Sequence, residues 1–321
     1  MRTFLLKRSL QLIPTLFVVA VIVFFITRML PGNPAAVMLG PQASAEDIAA
    51  YAERLGLNDP IYQQFFDYLI NLVKFDFGNS LSYNQPIVNL IMERFPNTVI
   101  LAVSALLIAI IVGVPAGILA AKKQNTIIDY LVTTLSLVGV SMPIFWLGVM
   151  LVLAFSVNLG WLPSTGMGSL DNGLWAFIRH LILPSLALAT IPTAQFARVI
   201  RSSMLETLSN DYIKAARSKG LKETFVIYKH ALKNALTPLL TVIGLQFSNL
   251  LGGAVLTETI FSWPGMGLLI VNAIDKRDFV VVQGSVIFIA IIYVVINLIV
   301  DVLYKVVNPK VNLDGGSGGA N

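Results

Sequence analysis

The sequence predicts an all-α integral membrane protein with six transmembrane helices and both termini in the cytoplasm. Three observations carry this. Of its 321 residues, 56% are hydrophobic and only 12% charged, against roughly 25% charged in soluble domains. Mean hydropathy is +0.79. Six stretches reach the ~20 apolar residues that a spanning helix needs: about Ser9–Leu30, Asn97–Ala121, Ile127–Leu159, Leu181–Ile200, Leu236–Ile260 and Val280–Val306.

The first stretch is too long for a signal peptide and lacks a small-residue cleavage site, so it is expected to be retained. The third and sixth are long enough to tilt. Gly113-Val-Pro-Ala-Gly117 is a small-xxx-small pattern that allows close helix approach. Gly139-Val-Ser-Met-Pro143 is expected to kink or loosen the third span, because Pro143 has no backbone N–H. Six spans place both termini on one side. That side holds Arg2, Lys7, Arg8, Lys122, Lys123, Arg198, Arg201, Lys214, Arg217, Lys219, Lys222, Lys229, Lys233, Lys305 and Lys310, 15 of the 22 Lys and Arg. The bias assigns it to the cytoplasm.

The organisation that follows is a first helix at 1–30, an extracytoplasmic helical segment at 31–95, a five-helix core at 96–306 and a tail at 307–321. In the outer segment Ser44-Ala-Glu-Asp47 resembles a capping box and Gly56 is placed to end that helix. Asp59-Pro60 starts a second helix, whose apolar residues Tyr62, Phe65, Phe66, Leu69, Ile70 and Val73 recur at helical spacing. Such a helix fits an element over a translocation mouth and equally one resting on the bilayer. The tail stretch Gly315-Gly-Ser-Gly-Gly319 has the composition of an added flexible linker.

Several function classes are disfavoured. There is no Cys, and two His make a metal cage improbable. Asp129, Arg198, Glu258 and Asp301 stand near span ends, leaving the span centres without the titratable group that proton-coupled carriers use. Gly117-Ile-Leu-Ala-Ala-Lys122 lacks the second Gly and the Ser/Thr of a phosphate loop, so ATP, if used, is bound by another chain. No nucleophile–base set is present, and His180 and His230 read as structural. Span five is small and polar at Gly244, Gln246, Ser248, Asn249, Gly252 and Gly253, with Glu258 at its end. These residues should face protein or water, either along a translocation path or as polar glue between helices.

Asn210–Leu240, NDYIKAARSKGLKETFVIYKHALKNALTPLL, concentrates charge between spans four and five. Ser209-Asn210-Asp211 are helix-capping types. A short helix over about Asp211–Lys219 would stop at Gly220, which adopts positive φ freely. A second helix over about Glu223–Ala235 would lead into span five, with Pro238 marking the entry. Ala215 and Ala216 leave a flat face ringed by Lys214, Arg217, Lys219 and Lys222. A docking elbow, a loop made basic only by the positive-inside tendency, and a lipid-surface helix all fit this pattern.

This stretch resembles the EAA loop of bacterial ABC importer permeases, with Lys214 at the Glu position and Ala215, Ala216 and Gly220 matching. HALKNALTP (His230–Pro238) is similar to the dipeptide/oligopeptide/nickel branch. So are PGNP (Pro31–Pro34), LGLNDPIYQQF (Leu55–Phe65), FDFGNS (Phe75–Ser80), RFPNT (Arg94–Thr98), SMPIFWLG (Ser141–Gly148), LGWLP (Leu159–Pro163), RSSMLE (Arg201–Glu206), ETIFSWPGMG (Glu258–Gly267) and RDFVVVQG (Arg277–Gly284). Their order and spacing resemble the B-type permease subunit.

The resemblance implies a type I ABC importer permease fold, a bacterial inner-membrane location, and a non-catalytic subunit of a peptide importer. It implies a homologous second permease, two cytoplasmic ATPase subunits binding ATP and Mg, and an extracytoplasmic substrate-binding protein. It implies no cofactor in this chain and no nucleic acid. ATPase coupling would fall to Lys214, Ala215, Ala216, Arg217, Gly220 and Leu221 within 201–235. The path would fall to Gln246, Ser248, Asn249, Gly252, Gly253 and Glu258. Nickel or another small peptide-like solute is the alternative cargo; a stand-alone secondary carrier and an assembly protein are rivals of other classes. Lys214 departs from the motif: docking there would need an acidic partner or would depend on shape.

Overall fold

The computed structural model describes residues 2–29, 34–40, 42–54, 56–80 and 82–307. Most of the PGNP turn, Leu55 and the Gly/Ser-rich tail therefore lie outside the described residues. The described elements are helical: α1 Arg2–Met29, α2 Pro34–Leu39, α3 Ala45–Arg54, α4 Ile61–Val73, α5 Ile87–Lys122, α6 Ile127–Ser141, α7 Ile144–Leu151, α8 Leu174–Ser209, α9 Asp211–Ser218, α10 Glu223–Phe225, α11 Leu232–Gly253, α12 Val255–Ile260, α13 Met266–Asp275 and α14 Phe279–Val307. Wide turns with i→i+5 bonding extend α7 over Val152–Asn158 and join α10 to α11 over Val226–Ala231. Five of these helices are long and apolar enough to cross a membrane, and a sixth span is present if α6 and α7 count as one.

The expected boundaries shift where local chemistry competes with hydropathy. The third span is not one helix. It stops at Ser141 and restarts at Ile144 after a sharp break. Met142 is extended (φ −75°, ψ 130°), as a residue before proline prefers. Span two begins at Ile87 rather than Asn97. Glu93 and Arg94 lower its hydropathy, but Ile87, Leu90 and Ile91 are buried against Met266, Leu269, Ala273 and Val281, so packing holds the added turns. Span five ends at Gly253, where two consecutive glycines weaken the helix, and Glu258 belongs to the separate helix α12. The second elbow helix does not stand apart from that span. The chain is one apolar helix from Glu223 to Gly253 with Pro238 inside it.

The chain forms two compact units. The first comprises 1–102, 148–184 and 251–294. Its outer segment follows the sequence signals. The Asp47 N–H donates to Ser44 Oγ (3.1 Å), and Ser44 Oγ donates to Asp47 Oδ2 (2.7 Å). Gly56 adopts φ +64° after α3. Pro60, expected at the first helical position, is instead the cap residue of α4, which begins at Ile61. Phe65 packs on Phe24 of α1 with ring centroids 5.1 Å apart, and Tyr68 stacks on the same ring at 5.5 Å. Asp278 ties the loop before α5 to the start of α14: Ser80 Oγ (2.7 Å) and the Ser82 N–H (2.9 Å) both donate to its Oδ2.

The second unit comprises 103–147, 185–250 and 295–321. Here the small residues of α5 do what their spacing predicts. A Cβ on Gly113 would lie 2.6 Å from the Thr193 carbonyl oxygen, and one on Gly117 2.5 Å from that of Ala197. Only Gly permits this approach of α5 to α8.

Candidate docking elbow and polar path

In the second unit, α8 ends at Ser209 and the chain turns through Asn210, which is extended (φ −68°, ψ 147°). The cap is made by backbone: the N–H groups of Ile213 and Lys214 donate to the Asn210 carbonyl, and the Asn210 side chain makes no cap bond. Helix α9 runs Asp211–Ser218, one residue short of the expected Asp211–Lys219. It is held from beneath. Ile213 is fully buried, as are Val226, Ile227 and Ala231 nearby, and α9 packs on the wide turn that carries those three. Asn234 Nδ2 donates to the Tyr212 hydroxyl at 2.6 Å.

The far end is closed by Gly220, φ +76°. A Cβ there would meet nothing within 4 Å, so the position requires the backbone conformation rather than the room. Beyond it Arg217 forms a fork to Glu223, with Nη2–Oε1 2.7 Å and Nε–Oε2 3.1 Å. The carboxylate holds the Arg217 guanidinium above its ordinary pKa. Lys214 Nζ lies 2.9 Å from Asp211 Oδ1, one turn back on the same helix. Both of these pairs are exposed, so they brace the elbow weakly and partly neutralise it.

The predicted small-residue face is split. Successive helical residues point about 100° apart; Ala215 is exposed while Ala216 is half-buried. The outward face is therefore Tyr212, Lys214 and Ala215, continued by Gly220 and by Leu221, 39% exposed.

The polar residues of span five separate into three groups. Gln246 and Ser248 are buried. Gln246 Nε2 donates to Gln195 Oε1 of α8, and Ser248 Oγ bonds Asn297 Oδ1 of α14 at 3.2 Å. Both satisfy each other's elements, as apolar surroundings demand. Asn249, Gly252 and Gly253 are exposed, and a Cβ on either glycine would meet open space.

Glu258, in the first unit, is fully buried in a clasp. Its Oε1 accepts from Thr98 Oγ1 (2.7 Å). Its Oε2 accepts from the N–H groups of Gly267 (2.6 Å) and Leu268 (3.2 Å). It thereby caps α13 from outside, where unpaired N–H groups and the helix dipole favour an anion. Thr98 Oγ1 also accepts from the Met266 N–H, and the Trp263 indole N–H donates to the Asn97 carbonyl.

Two further features had no local sequence signal. Asp129, 2% exposed, accepts a fork from Arg201 of α8, with Nη2–Oδ2 2.8 Å, and also the Asn125 N–H at 3.0 Å. One partner of Glu258, Thr98, lies 160 residues away in the chain. His180 Nδ1 contacts the Ala176 carbonyl within its own helix, a structural role. Among the described residues no group of three metal-ligating side chains occurs.

Apolar spanning helices locked by small-residue contacts, with an exposed surface helix seated between two of them, define a polytopic membrane protein of the permease type. The chain belongs to the binding-protein-dependent transport system inner membrane components: that family's model matches residues 113–313, and its N-terminal counterpart matches residues 1–102. It is 48% identical to the dipeptide transport system permease protein DppB of Alkalihalophilus pseudofirmus, over 97% of this chain and 99% of that protein. It is 43% identical to the glutathione transport system permease protein GsiC of Escherichia coli, with the same coverage. Its fold is similar to that of the MetNI methionine ABC transporter in an inward-facing conformation (TM-score 0.55, 17% identity, 68% of this chain and 96% of that one). The chain is thus a non-catalytic, multi-pass permease subunit of the inner membrane.

Proposed function

We propose that this permease imports di- or oligopeptides, forming half of a translocation pathway with a homologous second permease. Two cytoplasmic ATPase subunits bind ATP and Mg, and an extracytoplasmic binding protein delivers the cargo. Both termini and α9 lie in the cytoplasm, the side favoured by 15 of 22 basic residues. The elbow at 201–235 seats in an ATPase groove through Lys214, Ala215, Ala216, Arg217, Gly220 and Leu221. Ala215 and Leu221 make the outward contact, while Arg217 and Gly220 fix its shape. Lys214 is already paired with Asp211, which favours docking by shape.

The path follows the end of span five. Asn249, Gly252 and Gly253 line it, Gln246 and Ser248 anchor that helix to α8 and α14, and Glu258 holds the turn that follows through its clasp with Thr98 and α13. The observation that carries the reading is α9 itself: a short helix anchored by buried Ile213 and stopped by a positive-φ glycine, in a chain of this family. The likeness to a dipeptide permease supports the cargo.

The test is reconstitution in liposomes. With both permeases, both ATPases and the binding protein, ATP should drive uptake of a labelled dipeptide, and nickel should not replace it. This chain alone should transport nothing. Gradient-driven uptake by the chain alone would support a secondary carrier and overturn the proposal.

A further inference from the structure

From Glu223 to Gly253 the chain is one apolar helix of 31 residues. At 1.5 Å per residue it is about 46 Å long, against about 30 Å of hydrocarbon in a bilayer. The roughly 20 residues after Lys233 carry no charge and match that thickness by themselves. Glu223–Lys233 therefore stands in the headgroup layer, on whichever side of the membrane it lies.

One side of this stretch is covered. Val226, Ile227 and Ala231 are buried in the wide turn on which α9 packs. The other side is bare. Phe225 and Tyr228 are 41% and 55% exposed, and Lys222, Lys229 and Lys233 are exposed with them. The wide turn gathers its groups around one ring. Lys229 Nζ lies 4.6 Å from the Phe225 ring centroid, and the His230 ring lies 5.5 Å from it. The cation–π contact steadies the Lys229 ammonium without neutralising it. Lys233 follows one turn on, at a spacing that shares a helix face.

The charge on this face is unopposed. Glu223 is the only acidic residue between Lys219 and Lys233. It is held in the fork from Arg217 and lies under the charge of Lys122, the last residue of α5. Among the described residues no carboxylate pairs with Lys222, Lys229 or Lys233. The bias of basic residues to one side of a membrane explains the lysines. It does not explain two large aromatics left exposed beside them. At headgroup depth the two together suit a phospholipid: the rings sit at the acyl boundary and the ammonium groups meet the phosphate.

We propose that Phe225, Tyr228, Lys229 and Lys233, with Lys222 at the edge, form a binding face for the headgroup of an anionic phospholipid. It ties the root of the elbow to the bilayer, while α9 sits on the buried side of the same turn. The inference requires that α11 spans the membrane; it does not depend on the cargo or on ATPase docking.

The test uses the full chain in neutral-detergent micelles. Phosphatidylglycerol and, in parallel, phosphatidylcholine are titrated in, and bound lipid is counted by native mass spectrometry. Each basic residue near an anionic surface contributes about fivefold. Lys229→Gln with Lys233→Gln should therefore weaken phosphatidylglycerol binding at least tenfold and leave phosphatidylcholine binding unchanged. Lys229→Arg with Lys233→Arg should keep wild-type binding. Lys74→Gln, at the exposed end of α4, removes a charge elsewhere and should also match wild type. Equal binding of the two lipids by the wild type, no change in the double Gln variant, or an equal fall in the Lys74 variant overturns the proposal. If the double Gln variant binds lipid normally but loses its ATPase subunits on co-purification, the face docks protein rather than lipid, and the proposal falls. No arm reads uptake, so this failure is distinguishable from failure of the import reading.

Discussion

Replacing Glu258 by Ala and by Gln should give two different proteins. Ala removes the only side-chain acceptor shared by Thr98 Oγ1 and the Gly267 and Leu268 N–H groups. Two buried donors and the part-buried Leu268 N–H lose their partner, at about 1–3 kcal/mol for each buried one, so the loss is about 2 kcal/mol even at the lower bound, or roughly thirtyfold in the folded-to-unfolded ratio. Gln keeps the shape. Its Oε1 can still accept from the two N–H groups, but its Nε2 cannot accept the Thr98 hydroxyl proton, so one buried donor and the charge assistance are lost, about 1–3 kcal/mol. Equilibrium unfolding in mixed micelles reads the difference, and dipeptide uptake by the reconstituted importer reads the function. Stability should fall further for Ala than for Gln, and Gln should largely retain uptake. If both variants keep wild-type stability and lose uptake equally, the carboxylate acts through its charge on the cargo, and the clasp reasoning fails.

Other outcomes follow from the second unit. Asp129→Ala removes the acceptor of the part-exposed Arg201 and of the Asn125 N–H; it should cost about 1–3 kcal/mol, and Asp129→Leu with Arg201→Met should recover part of that loss in the same unfolding assay. Gly117→Leu places a side chain against the Ala197 carbonyl and should cut the yield of folded protein on size-exclusion chromatography by several-fold. Gly252→Leu enters open space, so the yield should be normal while uptake drops at least tenfold; unchanged uptake would put Gly252 outside the path.

Much of this was legible in the sequence because it is local. The capping pair Ser44 and Asp47, the stop at Gly220 and the contact stripe Gly113–Gly117 are set by neighbours within a few residues. The break at Pro143 was visible as a kink, but not as the end of a helix. What stayed hidden depends on partners far along the chain. Glu258 reads as the polar end of a span until Thr98 is brought to it. Asp129 reads as a span-end charge until Arg201 arrives. The two alanines of the elbow read as one face, yet the helical rotation turns Ala216 inward. The start of α5 at Ile87 was masked by Glu93 and Arg94, because hydropathy measures a helix's fit to lipid and not to its own protein neighbours.

The claim that α9 is the lever between ATP hydrolysis and transport is tested most directly at Ala215, the exposed small residue of that helix. Ala215→Trp adds bulk outward without touching the Gly220 stop or buried Ile213. In the full reconstituted importer, ATP hydrolysis and dipeptide uptake should be measured on the same vesicles. Peptide imported per ATP hydrolysed should fall at least tenfold, with the chain inserted at wild-type levels. An unchanged ratio at normal insertion would contradict it.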